Sequence, residues 1–180
     1  MLNGGYNGTL DETGRISLPR KMRDNLGSDV VLAISNYKCL QLWAAEKWEE
    51  YQAAVRGKFQ TDDKGNNFPF FPRESVIKRR MIGYATDIDK QGRISVNSFL
   101  RDHAGLSRDC VVIGQDDYIE IWAEDKYKEY LNSTEKEFEA AFAELGERIV
   151  NIGGLKNDTG YPHSGIAGAN STLSGAEDQM

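Results

Sequence analysis

Two nearly identical turns carry the side chains of this sequence that are best suited to binding an anion. The first turn reads DETGRIS from Asp11 and the second reads DKQGRIS from Asp89, so that Arg15 and Arg93 occupy matching places. An arginine at the tip of a turn can bind a phosphate, or the edge of a guanine base, through two parallel hydrogen bonds. The two arginines are therefore the first candidates for contacts with duplex DNA.

The aspartates and glycines of the same turns allow a second interpretation. Asp11 and Asp89 can hydrogen-bond to the backbone downstream of them, while Gly14 and Gly92 can adopt the positive φ that such a turn needs. Each aspartate could also form an ion pair with the arginine four residues later, which would keep that arginine on the protein surface. Residue types and spacing leave both interpretations open for each arginine.

A basic segment follows the first turn. Arg20, Lys21 and Arg23 come after Arg15 with no acidic residue between them, whereas the second repeat keeps only two arginines in the same window. Because the apolar residues Leu18 and Met22 are expected on the buried face, we expect Arg20 and Lys21 to point to solvent. They are candidates for phosphate contacts, with an ordinary solvated face as the alternative. The predicted DNA-binding residues are thus Arg15, Arg93, Arg20, Lys21, Arg23 and Arg101.

The sequence gives no indication of catalysis. Ser17 and Ser95 recur beside the turns without a histidine that could act as general base, and no phosphate-binding loop, dinucleotide fingerprint or metal triad occurs. We therefore predict that the chain is not an enzyme and uses no catalytic residue, metal or cofactor. Cys39 and Cys110 lie in apolar runs, which predicts two buried thiols.

Charge is unevenly distributed along the chain. The 180 residues are 39% hydrophobic and 28% charged, and the net charge of −6 at first argues against a nucleic-acid partner. Residues 131–180 hold three basic and eight acidic residues, so most of the excess acid lies at the C-terminal end and the remainder is nearly balanced. No apolar run is long enough to cross a membrane, and no secretory signal precedes the first turn.

The two turns belong to a longer internal repeat. At an offset of 78 residues, LDETGRISLPRKMRDN matches IDKQGRISVNSFLRDH, and the match continues through DVVLAISNYKCLQLWAAEKWEEY and DCVVIGQDDYIEIWAEDKYKEY. A unit of roughly 50 residues is too small to build a large core of its own. We therefore expect the two repeats to pack together as a pseudo-dimer around an approximate two-fold axis.

Each repeat predicts the same order of elements: a strand, the turn, a second strand, a short helix, two more strands and a longer helix. Trp43 and Trp122 end apolar strands and are expected in the core. A connecting helix is predicted over RESVIKRRMIGYA. The predicted organisation is a first repeat at 5–56, a linker and connecting helix at 57–80, a second repeat at 81–130, a C-terminal helix at 131–150 with an apolar face, and a disordered tail at 151–180.

Two Asp-x-x-Gly-Arg turns, each followed by a strand, a short arginine-bearing helix and a strand pair ending in tryptophan, resemble the MraZ family. This family is the tandem member of the SpoVT-AbrB, or swapped-hairpin, DNA-binding superfamily. The blocks LDETGRISLPRKMR, DKQGRISVNSFLRDHAGL and VVIGQDDYIEIW carry the resemblance, which covers about residues 5–145. It implies an α+β fold in which two swapped-hairpin AbrB-like units fuse into a pseudo-dimeric β-barrel with flanking helices, and it implies that Asp11, Arg15, Asp89 and Arg93 are the motif residues.

The second repeat departs from this pattern at the start of its short helix. Asn97 stands where the first repeat has Pro19, and Ser98 and Phe99 stand in place of the basic pair. The second repeat is therefore expected to contribute less to phosphate binding.

The resemblance implies a cytoplasmic, nucleoid-associated transcriptional regulator that assembles into a homo-oligomeric ring. Such a protein would bind direct repeats of double-stranded DNA in the promoter of the division and cell-wall gene cluster, which includes the promoter of its own gene. Two alternatives remain open. One is an antitoxin-type DNA-binding module, and the other is a ring-forming scaffold protein whose basic residues serve only solubility.

Overall fold

The two repeats form matching series of helices and strands in the computed structural model, which describes residues 2–60 and 73–152. The first repeat contains β1 (Gly5–Thr9), β2 (Arg15–Ser17), α1 (Arg20–Leu26), β3 (Asp29–Ile34), β4 (Cys39–Ala44) and α2 (Ala45–Gln60). The connecting helix is α3 (Glu74–Arg80). The second repeat contains β5 (Gly83–Asp87), β6 (Arg93–Ser95), α4 (Ser98–Ala104), β7 (Asp109–Gln115), β8 (Tyr118–Ala123) and α5 (Glu124–Ile152).

Strands from the two repeats pair with each other. Six of them form one antiparallel sheet in the order β1-β7-β8-β4-β3-β5, and β2 pairs with β6 in a second, two-stranded sheet. β1 of the first repeat therefore lies beside β7 of the second, and β5 of the second lies beside β3 of the first. With five helices in the described residues, the fold is α+β, as the sequence predicts.

The local hairpin expected across the first turn is only one bridge long. Leu10 pairs with Ile16, and beyond that bridge β1 and β2 take partners from the other repeat. The same alternation of apolar residues that predicts each strand cannot identify its partner, because a repeat offers two chemically equivalent strands for every pairing.

The pairing registers relate the repeats by an approximate two-fold axis. Ile16 lies opposite its own counterpart, Ile94, in the small sheet. Gln41 likewise lies opposite its counterpart, Glu120, at the centre of the large one. On either side of each pair, the residue that precedes it in one repeat lies opposite the residue that follows it in the other repeat. The two repeats therefore meet at the centre of both sheets.

One hydrophobic core draws on both repeats. Ile16 and Ile94 are completely buried, and fully burying a side chain of this size stabilises a fold by about 1.5–3 kcal/mol. Trp43 and Trp122 are buried, as predicted. The two cysteines are buried free thiols, also as predicted, and desolvation raises the pKa of Cys39 to about 12 and the pKa of Cys110 to about 11. These thiols therefore stay protonated and inert at neutral pH.

The boundaries of three helices differ from the prediction. α2 continues to Gln60, so residues 57–60 of the predicted linker are helical. α3 ends at Arg80 because Gly83 already belongs to β5, where a Cβ would collide with the side chains of Val31 and Trp48. α5 is one continuous helix from Glu124 rather than a separate helix from residue 131. Residues 61–72 of the predicted linker and the tail from residue 153 lie outside the described residues.

The chain divides into a compact unit that ends at Glu135 and a second unit that begins at Lys136. The helical part of the second unit carries Phe138, Phe142 and Leu145 on one face, as the sequence predicts, and all three side chains are at least half exposed. The rings of Phe138 and Phe142 lie 5.8 Å apart. Within the described residues, no helix is both long and apolar enough to span a bilayer.

Candidate DNA-binding surface

The aspartate of each turn organises its own backbone. Oδ1 of Asp11 accepts hydrogen bonds from the backbone N–H groups of Thr13 and Arg15, both at 2.9 Å. Gly14 has a φ of 78° and donates its N–H to the carbonyl oxygen of Asp11 at 2.9 Å. A positive φ of this kind is readily adopted only by glycine. The predicted turn chemistry is therefore confirmed at the first turn.

The second turn repeats this geometry. Oδ1 of Asp89 accepts from the backbone N–H groups of Gln91 and Arg93, both at 2.9 Å, and Gly92 has a φ of 79°. Hydrogen bonds to an ionised carboxylate lower its pKa. The pKa of Asp89 is lowered, chiefly by the backbone N–H of Arg93, and the pKa of Asp11 is lowered, chiefly by the hydroxyl of Thr13. Both carboxylates are thus negatively charged at neutral pH and can attract the nearby arginines.

The two turn arginines are not equivalent. Arg93 binds Oδ2 of Asp89 through Nε and Nη2, each at 2.9 Å, and its side chain is 28% exposed. Among the described residues, the one ion-pair contact of Arg15 is long, 3.9 Å from Nη1 to Oδ2 of Asp89, and its side chain is 44% exposed. Arg93 therefore forms the ion pair with the aspartate of its own turn. Arg15 instead reaches toward the aspartate of the other turn and is more exposed to solvent.

Each turn also packs against the start of the other repeat's short helix. The N–H of Leu18, just before α1, donates to the carbonyl oxygen of Gly92 at 2.9 Å. The N–H of Val96, just before α4, donates to the carbonyl oxygen of Gly14 at 2.8 Å. The first turn is thus flanked by α4 and the second turn by α1. The sequence of one repeat alone does not predict these contacts between repeats.

Arg23 and Arg101, both predicted as DNA contacts, hold the turns. Nη1 of Arg101 donates to the carbonyl oxygen of Val96 at 2.8 Å, and its guanidinium occupies the space that a Cβ on Gly14 would need. Arg23 covers Gly92 in the same way, with its Nε buried and without a hydrogen-bond partner in the described structure. Both side chains are half-buried, and a contact of either with DNA stays a prediction.

Arg20 and Lys21 are both exposed, as the sequence predicts. The side chain of Arg20 is 86% exposed and lies 3.8 Å from the carboxylate of Asp24. Leu18 and Met22 are buried, which leaves the basic pair on the outer face. The start of α1, which carries this pair, is bonded to the second turn through the N–H of Leu18.

The departure at Asn97 preserves the start of α4. Oδ1 of Asn97 accepts from the N–H of Leu100 at 2.9 Å and so caps the helix. Pro19, at the matching place before α1, makes no side-chain cap and instead supplies a fixed φ suited to a helix start. Two different residues thus begin the two helices.

Similarity to known proteins covers most of the chain. A family model described as "MraZ protein, putative antitoxin-like" matches residues 1–66 and 81–149. The protein named "Transcriptional regulator MraZ" from Treponema denticola is 35% identical over 149 residues, which is 81% of this chain and 98% of the relative. Proteins of the same name from Thermoanaerobacter sp. (strain X514) and Oenococcus oeni are 33% and 30% identical, over 84% and 81% of this chain and 99% and 96% of the relatives.

Proposed function

This chain belongs to the MraZ family, and from that premise we propose that it is a sequence-specific DNA-binding transcriptional regulator. The relatives are named transcriptional regulators, which is not a class of enzyme. The observation that carries the proposal is the state of Arg15: its side chain follows a glycine-containing turn, is nearly half exposed, and within the described residues makes one ion-pair contact, at 3.9 Å. Such a group can exchange that weak contact for a base edge or a phosphate.

We assign the residues of the surface to two roles. Arg15, Arg20 and Lys21 are the direct contacts, because these residues are exposed. Arg93 is a further contact once DNA competes for its ion pair with Asp89. The supporting residues, which shape the turns and keep them in place, are Asp11, Gly14, Asp89, Gly92, Arg23 and Arg101.

The proposed target is the promoter of the division and cell-wall gene cluster, with sites upstream of the protein's own gene. The proposed location is the cytoplasm, in association with the nucleoid. The resemblance of both turn blocks to the family supports these assignments. Direct repeats would suit a protein that presents several copies of one surface, since linked contacts raise the effective affinity.

We propose that the two repeats, at 5–56 and 81–130, form a swapped-hairpin, pseudo-dimeric β-barrel and that several chains assemble into a ring. The symmetric pairing of Ile16 with Ile94 and the exchange of β1 and β5 support the first part. The adjacent exposed rings of Phe138 and Phe142 support the second, because a contiguous exposed apolar patch can mark a protein-interaction site.

The test is a footprint on the DNA upstream of the protein's own gene, followed by fluorescence anisotropy with the protected sequence. A regulator should protect a series of equally spaced sites, and its affinity should fall steeply with salt. A scaffold whose basic residues serve only solubility should protect nothing and should bind specific and scrambled duplexes alike. That outcome would refute the DNA-binding proposal.

An antitoxin-type module is the second candidate, and two observations favour it. The family description contains the words "antitoxin-like". The second unit also presents Phe138, Phe142 and Leu145 on a helix that is otherwise rich in glutamate, a surface suited to a basic partner. Tagged chain expressed from its native gene neighbourhood should then co-purify with one basic protein in fixed stoichiometry. Purification of the chain as a pure homo-oligomer would argue for the regulator.

A further inference from the structure

The two turns differ in one side chain that contacts the aspartate. The residue two places after the aspartate is Thr13 in the first turn and Gln91 in the second. The hydroxyl of Thr13 donates to Oδ1 of Asp11 at 2.7 Å, in addition to the two backbone N–H groups that bind the same oxygen. Gln91 contributes its backbone N–H to Asp89, at 2.9 Å. With the arginine side chains left out, Asp11 therefore accepts three hydrogen bonds and Asp89 accepts two.

The contacts of the two turn arginines differ in the same way as the hydrogen bonds of the two aspartates. Arg93 forms two bonds of 2.9 Å with Asp89 and also lies 3.8 Å from Asp11. Arg15 lies closest to Asp89 rather than to the aspartate of its own turn. A carboxylate that already accepts three hydrogen bonds has part of its charge neutralised and attracts a guanidinium less strongly. The turn with the extra hydroxyl is the turn whose arginine is released.

We propose that residues 13 and 91 determine which turn arginine is available to DNA, with Thr13 freeing Arg15 and Gln91 leaving Arg93 bound to Asp89. This inference rests on the proposed function and refines it, because it makes residue 13 a positioning residue for base recognition. It also gives the surface a direction. A scaffold with two-fold symmetry would otherwise read an inverted repeat, whereas one free arginine reads a site in a single orientation.

The first test uses no DNA. The Nε–H of Arg93 is hydrogen-bonded and should exchange with solvent more slowly, by about tenfold, than the Nε–H of Arg15, as a charge-assisted bond of this kind implies. NMR of arginine side chains measures both rates. Gln91→Thr should speed exchange at Arg93, and Thr13→Val, which removes only the hydroxyl, should slow exchange at Arg15. Thr13→Ser should restore the original rates because it keeps the hydroxyl.

The second test measures binding of the same variants to the footprinted site. Gln91→Thr should tighten binding and Thr13→Val should weaken it, each by about tenfold, since one charge-assisted bond is gained or lost in the competition with DNA. Equal exchange rates for the two arginines in the unmodified protein, or rates that the substitutions leave unchanged, would overturn the inference. If the rates respond as expected and no DNA binds, the proposed function fails while the control of the arginines by residues 13 and 91 stands.

Discussion

Arg101 of the second repeat lies directly over Gly14 of the first, with its Nη1 bonded at 2.8 Å to the carbonyl oxygen of Val96. Arg23 of the first repeat covers Gly92 of the second in the equivalent way. Each turn is therefore completed by an arginine from the other repeat. Arg101 and Arg23 thus contact the turns, whereas Arg15 and Arg93 lie within them.

Gly14→Ala should destabilise the protein by about 1–3 kcal/mol, because alanine must adopt a positive φ and its Cβ must displace the Arg101 guanidinium. Gly105→Ala is the matched control. Gly105 also has a positive φ, of 63°, but open space surrounds the place where its Cβ would lie. Urea unfolding measures both. If the two variants lose the same stability, crowding by Arg101 contributes nothing.

Arg101→Ala should lower the free energy of unfolding by about 1–3 kcal/mol, since the Val96 carbonyl loses a hydrogen bond from a charged donor and the turn loses its cover. Arg101→Lys should restore little, because a lysine lacks the planar fork. Thermal unfolding compares these variants with Arg20→Ala, whose side chain is 86% exposed and should not affect stability. A stable Arg101→Ala protein that binds DNA weakly would instead return Arg101 to the direct contacts.

Arg20→Ala and Lys21→Ala should each weaken DNA binding and reduce the slope of log affinity against log salt by about 1, as expected when one phosphate contact is lost. Their melting temperatures should not change. Arg15→Ala should weaken binding much more at the specific site than at a scrambled one. Lys126→Ala is the control, because Lys126 is paired with Glu129 at 2.7 Å on α5. Equal losses for Arg15→Ala and Lys126→Ala would remove the support for this surface.

The turn aspartates should make stability depend on pH in the acid range. The pKa of Asp89 is below its ordinary value of 3.8 in the folded protein. Its ionised form therefore stabilises the fold fully above 3.8, and this contribution is lost as the pH falls through the lower folded value. Asp89→Asn should thus be less stable than the unmodified protein at neutral pH, and the difference should shrink in strong acid. A difference that is constant across that range would exclude the carboxylate charge as its cause.

The sequence predicts the turns well because their chemistry is local. Asp11, Gly14 and the residues between them determine a backbone conformation within five positions of the chain, and both repeats show it. The roles of Arg23 and Arg101 are not local, since each depends on a glycine in the other repeat. Arg23 and Arg101 recur in both repeats, but so do Arg15 and Arg93, so recurrence alone could not separate the two pairs.

The states of Arg15 and Arg93 could not be predicted because the difference that we propose to decide them, Thr13 against Gln91, acts through the aspartates rather than on the arginines directly. The choice between an ion pair and an open guanidinium depends on a few hydrogen bonds to two carboxylates that meet only after the repeats associate. Helix ends were missed for a related reason. Gly83 interrupts a helical pattern because β3 supplies it with a strand partner.

The exchange of strands has a consequence for synthesis of the chain. β1 must wait for β7, which begins at Asp109, roughly 100 residues later, and ribosomes at about 5–20 residues per second need some 5–20 s to supply it. During that interval the nascent first half exposes open strand edges and half of a core. A fragment ending at Gln60 should therefore be found as a dimer or bound to a chaperone. Adding the second half of the chain as a separate fragment should restore its folding.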